Sequence, residues 1–396
     1  MKKKIRGLLA NLLVFGISLF ICLLVLEIAA RFFLADLQPL MRPDKYVGSL
    51  YVSGRTVDLY SDESKKTIEV KSNSLGFRDY EFNLEKPTGI KRIAIFGDSF
   101  TDAVQVEESA RFSEQLENFL NQNLPEKKYE VMNFGVAGTG TAQQYKVYQY
   151  YAAPFKPDLV IVGFYNGNDV ENNSIRLTPN SERTNYILGA NGKLETAPVT
   201  FNQKIVWQVR TFFGSHSALF RIAYKYLPNA KPLHQLLMKF GLVPSQLAAN
   251  AGPETLPPSF QVIKKDYSGD WQNAWQVTEE IFKEFKETSV SNKAEFMILD
   301  IPDAYQCYPD RFANKIKNVG SATTTDFILA KPQQILNEFT GQNNINYLSL
   351  LDDFRKNYEE TKECLYFDCR GHLTPAGHQL AAEKLFAYLK EKNLVE

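Results

Sequence analysis

The feature that most restricts the fold is a series of short, continuously apolar runs, each ending at a glycine or a polar cluster. Residues 93–96 end at Gly97, and residues 131–134 end at Gly135. Three further apolar runs lie at about 159–164, 296–301 and 345–348. Segments with a helical period lie between or after the runs, at about 111–120, 142–153, 271–288, 331–339 and 376–389. Such runs between helices are typical of parallel strands buried on both faces. The pattern predicts a three-layer α/β/α domain of about five parallel strands, with its ligand site beyond their carboxyl ends.

The alternation is interrupted between about residues 171 and 268. Turn-rich patches flank two apolar-periodic segments there, at 206–226 and 233–240. We expect a helical insertion, a common place for lids and substrate-selecting surfaces. The α/β domain is then 89–396. Residues 30–88 show no sustained period and are predicted to form an ordered juxtamembrane stalk packed on that domain.

The N-terminus has the pattern of a membrane anchor. Basic residues occupy positions 2–4 and 6, and residues 7–26 carry no charge. About 20 apolar residues are needed to cross a bilayer of roughly 30 Å as a helix. We expect a cytosolic tail at 1–6 and a transmembrane anchor at 7–29. The basic tail should stay in the cytosol, so the residues after the anchor lie outside it, in a periplasm or the extracellular space. A cleaved signal peptide is the alternative, although its apolar core is usually only about 7 to 15 residues.

Charge and cysteine content exclude several classes of function. Lys plus Arg equals Asp plus Glu at 45 each, so no net field favours nucleic acid. The four cysteines form no CxxC pair, and no metal site is predicted. Outside the cytosol, Cys307 or Cys364 could bridge to Cys369 and rigidify the loop before His372, or all three could remain unpaired.

Polar and glycine-rich clusters follow three of the predicted strands. The first is Gly-Asp-Ser-Phe-Thr at 97–101, the second spans 133–140 with three glycines, and the third is Gly-Phe-Tyr-Asn-Gly-Asn-Asp at 163–169. Each one alone is an ordinary turn sequence. A serine between a buried strand and a helix can also present its hydroxyl, and its own backbone N–H, at the edge of the sheet.

With the segment 368–378 near the C-terminus, which contains His372 and His378, these clusters resemble the conserved blocks of the SGNH (GDSL-type) hydrolase family, in the family's order. Residues 97–99 match block one, Gly138 best matches the glycine of block two, residues 166–169 fit block three, and His372 fits block five. Residues 73–79 are similar to the lead-in of membrane-anchored members. The resemblance implies a flavodoxin-like SGNH fold and a serine esterase that needs no cofactor.

The family's roles transfer to individual residues as expectations. Ser99 attacks the ester carbonyl, and His372 takes the serine proton and later gives it to the leaving alcohol. The backbone N–H groups of Ser99 and Gly138, with the side-chain amide of Asn168, form the oxyanion hole.

The third member of the triad departs from the family pattern. The acid usually lies two or three residues before the histidine, where this chain has Arg370 and Cys369, so Asp368 is the nearest carboxylate. We expect Asp368 to orient His372 through a bulged loop. Otherwise a backbone carbonyl orients the ring and the site works as a Ser-His dyad. Asp98, Asp169 and His378 are expected to brace loops.

The resemblance favours removal of O-acyl groups, acetyl above all, from a carbohydrate or cell-surface glycan. Two alternatives use the same fold. One is an acyltransferase, in which a sugar hydroxyl instead of water resolves the acyl-serine. The other is a non-catalytic glycan-binding protein. No nucleic-acid partner is expected.

Overall fold

A computed structural model describes residues 2–33, 40–178, 185–198, 201–226, 256–319 and 322–396. The strands in these residues are β1 Met41–Asp44, β2 Gly48–Tyr51, β3 Thr56–Ser61, β4 Lys66–Lys71, β5 Ile90–Gly97, β6 Lys128–Gly135, β7 Leu159–Tyr165, β8 Tyr186–Leu188, β9 Leu194–Thr196, β10 Glu295–Ile301 and β11 Asn346–Ser349. The α-helices there are α1 Lys2–Phe33, α2 Ser99–Asp102, α3 Phe112–Asn123, α4 Thr141–Val147, α5 Asp169–Asn172, α6 Phe201–His216, α7 Ala218–Tyr226, α8 Gly269–Ser291, α9 Ala304–Cys307, α10 Pro309–Val319, α11 Lys331–Gln342, α12 Leu351–Thr361 and α13 Pro375–Glu391.

Five of the strands form one parallel sheet in the order β11-β10-β7-β5-β6. Counted along the chain, this is the 2-1-3-4-5 order of flavodoxin-like folds. The predicted fold class is confirmed. The order changes direction at β5, so the residues that follow β5 lie at the switch point where such sheets bind ligands.

Two apolar layers cover the two faces of this sheet. Ala94 and Phe96 of β5 belong to the buried cluster that includes Phe282 of α8. Ile93 and Ile95 belong to the cluster on the other face, which includes side chains of α3 and α13. Alternation along one strand therefore fills both faces, because successive side chains of a strand point in opposite directions.

Three glycines are in register where β5, β6 and β7 end. Gly97 pairs with Gly135 on one side and with Gly163 on the other. A Cβ at Gly97 would lie 2.0 Å from Thr101 Oγ1, and one at Gly135 would lie 2.4 Å from the backbone nitrogen of Asp102. The short helix α2 therefore packs directly across the strand ends, and only glycine leaves room for it.

The segment before the sheet contains more strand than its sequence pattern suggests. β3 and β4 pair antiparallel from Thr56–Lys71 to Ser61–Lys66, and the turn between them has Lys65 in the left-handed region at φ 55°. Only Ile68 and Val70 of β4 are buried, so the apolar alternation is too short to stand out in the sequence.

The lead-in at residues 73–79 is fixed to the loop after α2. Arg78 is buried, and its guanidinium donates hydrogen bonds to the backbone oxygens of Asp102, Ala103 and Val106 at 3.1, 2.6 and 2.9 Å. A buried guanidinium needs such partners, because an unsatisfied charge in the interior is very costly. This segment is therefore a structural support of the loop that follows the serine.

The chain forms two compact units, residues 1–42 with 199–249, and residues 43–198 with 250–396. In the first unit, the Ala10–Phe32 part of α1 has a mean hydropathy of 2.8 and is long and apolar enough to cross a membrane or to serve as a signal sequence. Of the expected insertion at about 171–268, the structure describes residues 171–178, 185–198, 201–226 and 256–268, which include β8, β9, α6 and α7. The predicted apolar segment 233–240 lies outside the described residues.

Candidate active site

Ser99 lies where the sequence predicts, at the first position of α2 directly after β5. Asp98 caps this helix, and its Oδ1 accepts a hydrogen bond from the backbone N–H of Phe100 at 2.9 Å. An acidic side chain at this position satisfies a helix N–H that has no partner within the helix. The cap holds the strand-to-helix turn that presents the serine hydroxyl at the carboxyl edge of the sheet.

His372 is within hydrogen-bonding distance of that hydroxyl. Its Nε2 lies 2.8 Å from Ser99 Oγ, although the two residues are 273 positions apart in the chain. The Phe100 ring packs beside the imidazole, with 4.8 Å between ring centroids. The structure therefore brings together the two residues for which a base and nucleophile role was predicted.

A disulfide closes the loop that precedes His372. It joins Cys364 to Cys369, whose Cα atoms are 5.2 Å apart, and Cys307 is a buried free thiol. The backbone of Phe367 also donates to the carbonyl of His372 at 2.8 Å. Of the two pairings considered from the sequence, the structure has the shorter loop, which ends three residues before the histidine.

The other ring nitrogen of His372 contacts a residue that the sequence analysis did not identify. Glu63, in the turn between β3 and β4, has its Oε1 2.8 Å from Nδ1, and its Oε2 accepts the backbone N–H of His372 at 2.7 Å. A carboxylate on Nδ1 keeps the proton there and leaves Nε2 free to accept the serine proton. Glu63 thus has the geometry of the acid in a Ser-His-acid triad.

Gly371 makes room for this carboxylate. A Cβ added at Gly371 would lie 2.5 Å from Glu63 Oε2. Any larger residue before His372 would displace the carboxylate or the loop. Glycine is therefore required at position 371 because the Glu63 side chain, from the turn between β3 and β4, packs directly against it.

The expectation that Asp368 orients His372 is wrong in this structure, because Glu63 occupies that place at Nδ1. Asp368 is exposed and lines a separate cavity that also includes Arg311 and Arg370. It lies inside the disulfide-closed loop, where Asp368 and Cys369 both adopt left-handed backbone at φ 49° and 56°. The loop does bulge as expected, but the bulge does not bring the Asp368 carboxylate to the ring.

Gln105 is a second neighbour of Nδ1. Its Nε2 lies 3.1 Å from that nitrogen, while its Oε1 is buried without a hydrogen-bond partner among the described residues. An Nδ1 that already carries a proton for Glu63 cannot also accept one from an amide NH₂. With the amide oxygen and nitrogen of Gln105 exchanged, the oxygen shares the Nδ1–H with Glu63.

Glu63 is held in its ionised form. Partial burial on its own raises the pKa of this carboxyl, but hydrogen bonds from the ring and the backbone N–H of His372, with the charge of that ring, outweigh it and lower the pKa below its ordinary value. Side-chain exposure is 32% for Glu63 and 24% for His372, so water still reaches the pair. An ionised carboxylate here stabilises the imidazolium that forms when His372 takes a proton.

The predicted oxyanion donors lie in loops that are hydrogen-bonded to the end of β5 and to the turn that follows it. The loop after β6 is fixed to the end of β5, since the backbone N–H of Val136 donates to Gly97 O at 3.0 Å, and Gly138 there has φ 73°. Among the described residues, the N–H groups of Ser99 and Gly138 donate to no backbone oxygen. Both remain available to a ligand.

Asn168 is positioned by a buried carboxylate. Its Nδ2 donates to Asp98 Oδ2 at 2.9 Å, and since an amide nitrogen carries two hydrogens, the second can point to a substrate oxygen. Asp98 is fully buried, and this burial raises its pKa despite the hydrogen bonds from Phe100 and Asn168. Burial and the neighbouring Asp98 raise the pKa of Asp169 well above its usual value, and Asp169 accepts the backbone N–H of Tyr165 at 3.0 Å. Both aspartates brace loops.

Residues 93–188 match the family described as GDSL-like lipase/acylhydrolase. Similar solved structures include TesA, at 13% identity over 76% of this chain and 99% of that one, with a TM-score of 0.37. The acetyl xylan esterase AlAXEase has 13% identity, coverages of 75% and 98% and a TM-score of 0.37. A catalytic mutant of Axe2, an acetylxylan esterase from Geobacillus stearothermophilus, has 11% identity, coverages of 76% and 94% and a TM-score of 0.37. No curated protein sequence matches this chain.

Proposed function

We propose that Ser99, His372 and Glu63 form the catalytic triad of this chain, a serine ester hydrolase with a GDSL-like lipase/acylhydrolase match over residues 93–188. The observation that carries this proposal is the hydrogen-bonded series in which His372 Nε2 lies 2.8 Å from Ser99 Oγ and Nδ1 lies 2.8 Å from Glu63 Oε1. A nucleophile, a base and a group that orients the base are the minimum set for acyl transfer through a serine.

In the acylation half-reaction, Ser99 Oγ forms a bond to the ester carbonyl carbon while its proton passes to His372 Nε2. The carbonyl oxygen becomes an oxyanion, which accepts hydrogen bonds from the N–H groups of Ser99 and Gly138 and from the Asn168 amide. The Glu63 carboxylate stabilises the positive charge that develops on the His372 ring. When the carbon–oxygen bond to the alcohol breaks, the imidazolium returns the proton to that oxygen, and the alcohol leaves.

In the second half-reaction, water attacks the acyl-serine. His372 accepts a proton from the water, the same donors stabilise the second oxyanion, and Ser99 recovers its proton as the acid leaves. A sugar hydroxyl in place of water would transfer the acyl group instead. The covalent chemistry is identical, so the acceptor decides between an esterase and an acyltransferase.

We place the catalytic domain outside the cytosol, anchored by α1. The basic residues in the first turns of α1 favour a cytosolic N-terminus. The Cys364–Cys369 disulfide supports the same location, because such bonds persist mainly in oxidising compartments. A C-terminal alkaline phosphatase fusion, which is active only outside the cytosol, tests the topology. Phosphatase activity is the expected result, and an inactive but fully expressed fusion would contradict it.

Within this location we propose O-acylated, and above all O-acetylated, cell-surface carbohydrates as substrates. The support is the family resemblance, since members outside the cytosol often act on acylated carbohydrates. Release of acetate from acetylated glycans, measured with and without an acceptor sugar, tests the proposal. Acetate release by water supports the esterase, whereas transfer to the acceptor in preference to water would replace it with the acyltransferase.

The first experiment is labelling of the detergent-solubilised full chain with a fluorophosphonate probe, together with hydrolysis of p-nitrophenyl acetate. We expect Ser99→Ala and His372→Ala to lose both activities. Ser291→Ala and His216→Ala are matched controls, since both side chains are exposed on helices and neither belongs to the proposed triad. A folded wild-type protein that neither reacts with the probe nor turns over the ester would refute the proposed triad.

A further inference from the structure

The cavity lined by Asp368 borders the loop that carries His372. It has a volume of about 340 Å³, and its walls include Arg311 and Lys315 of α10, Arg370 of the disulfide loop, and Tyr305. We propose that this cavity binds an anionic group, a carboxylate or a phosphate, carried by the glycan whose ester is cleaved. The inference rests on the proposed function and names the class of glycan that the site takes.

The first support is the charge of the cavity. Three cationic side chains line it with one carboxylate, that of Asp368, in a chain whose formal net charge is zero. Neither Arg311 nor Arg370 is ion-paired within the part of the chain that the structure describes. Guanidinium groups match the planar, two-oxygen geometry of carboxylate and phosphate.

Another cavity, of about 440 Å³, lies at the amino ends of the strands and is also lined by basic side chains, but these are offset by acidic ones. Its lysines face carboxylates, since Lys91 lies 4.0 Å from Asp158 and Lys127 is ion-paired with Glu396. In the cavity beside His372, the guanidinium groups of Arg311 and Arg370 have no carboxylate partner among the described residues. An anion bound there would pair with these two arginines.

The second support is the way the cavity is built. Arg311, Asn314, Lys315 and Asn318 have spacings of three and four residues, so they lie on one face of α10, while Phe312 and Ile316 of the same helix are buried. The opposite wall is Cys369 and Arg370, held by the disulfide. Consecutive left-handed residues such as Asp368 and Cys369 persist only when their surroundings enforce them.

The third support is the position of the cavity relative to Ser99. Tyr305 follows the carboxyl end of β10, and Arg370 precedes His372 by two residues. β10 is two strands from β5 in the sheet, which is roughly 10 Å at the usual strand spacing. A single substrate with its anionic group in this cavity and its ester at Ser99 must therefore extend along the carboxyl edge of the sheet. A polymer can do this.

The test is titration calorimetry on the full chain in detergent with three probes. These are an oligogalacturonate, the same oligomer with its carboxylates converted to amides, and a glycerol phosphate oligomer. We expect the wild type to bind at least one charged probe about tenfold more tightly than the amide form, the equivalent of one charge-assisted hydrogen bond, and to lose this preference at high salt. The stronger of the two charged probes identifies carboxylate or phosphate as the ligand.

Variants assign the binding to the cavity. Arg311→Gln with Arg370→Gln should remove the preference, whereas Lys91→Gln with Lys392→Gln, which removes the same charge at the opposite edge of the sheet, should retain it. Arg311→Gln alone should weaken the binding without touching the His372 loop. Equal binding of charged and amide probes, or an unchanged preference in the double arginine variant, would overturn the inference. Binding needs no turnover, so this result is independent of whether Ser99 is labelled.

Discussion

Replacement of Glu63 by glutamine removes one charge from the proposed triad and leaves the shape of the side chain nearly unchanged. In the structure the carboxylate accepts hydrogen bonds from both Nδ1 and the backbone N–H of His372, at 2.8 and 2.7 Å. The amide can still accept one of them through its oxygen. Folding should therefore be little affected, and the change should act on the chemical step.

The expected loss has two parts. A hydrogen bond to a charged group contributes about 1.5 to 3 kcal/mol. Because the Glu63 side chain is 32% exposed, we take about 2 kcal/mol, which is about 30-fold in rate. An amide NH₂ facing Nδ1 also favours the tautomer with the proton on Nε2, which cannot accept the Ser99 proton, and we assign this about another tenfold. We expect kcat for p-nitrophenyl acetate to fall by roughly 10²- to 10³-fold, with KM little changed.

The assay compares Glu63→Gln with two other variants under one set of conditions. Glu63→Asp keeps the charge on a shorter side chain and should recover part of the rate, which a purely structural role for Glu63 would not predict. Asp368→Asn removes the carboxylate first expected to orient His372 and should change kcat by less than about threefold, because Asp368 does not contact the ring. A large loss in Asp368→Asn with normal activity in Glu63→Gln would refute the assignment of the acid.

Three further outcomes are expected. Gly371→Ala places a Cβ within 2.5 Å of Glu63 Oε2, so kcat should fall at least tenfold, while Gly341→Ala, where nothing lies within 4 Å, should have no effect. Cys364→Ser with Cys369→Ser opens a short loop, which should lower the unfolding free energy by about 2 kcal/mol and reduce kcat, and an unchanged midpoint of denaturation would contradict this. Burial, with the nearby Arg111 charge, lowers the pKa of His378 to about 3, so the unfolded state takes up the proton first as the pH falls. Between pH 7 and 5 the unfolding free energy should therefore drop by about 2 kcal/mol more in the wild type than in His378→Gln, and parallel pH profiles would refute it.

The parts of the site that the sequence predicted are those carried by local patterns. Ser99 and Asn168 follow buried strands at the carboxyl edge of a parallel sheet, and the order of the strand ends brings them together. His372 belongs to a short C-terminal motif. In each case the residue and the structural reason for its position lie within a few residues of each other, so a single sequence contains enough information.

Glu63 could not be predicted in this way. It lies among polar residues in a hairpin turn, beside Ser64 and Lys65, and that composition is what any exposed turn has. Its partner is 309 positions away. The one available signal was negative: Cys369 and Arg370 stand where the family has its acid. The acid had to come from elsewhere, but nothing in the sequence says from where.

The position of Glu63 also bears on how the enzyme becomes active during synthesis. The hairpin leaves the ribosome before the serine, and His372 follows 309 positions after Glu63, so the proposed triad joins distant parts of the sequence. Contacts of such long sequence separation form late, because the intervening chain must first be ordered. A nascent chain would thus carry an unactivated serine until the segment that carries His372 packs beside it. Reactivity toward a serine probe would therefore report completed folding of the site, and a chain in which His372 has not yet packed could not cleave esters.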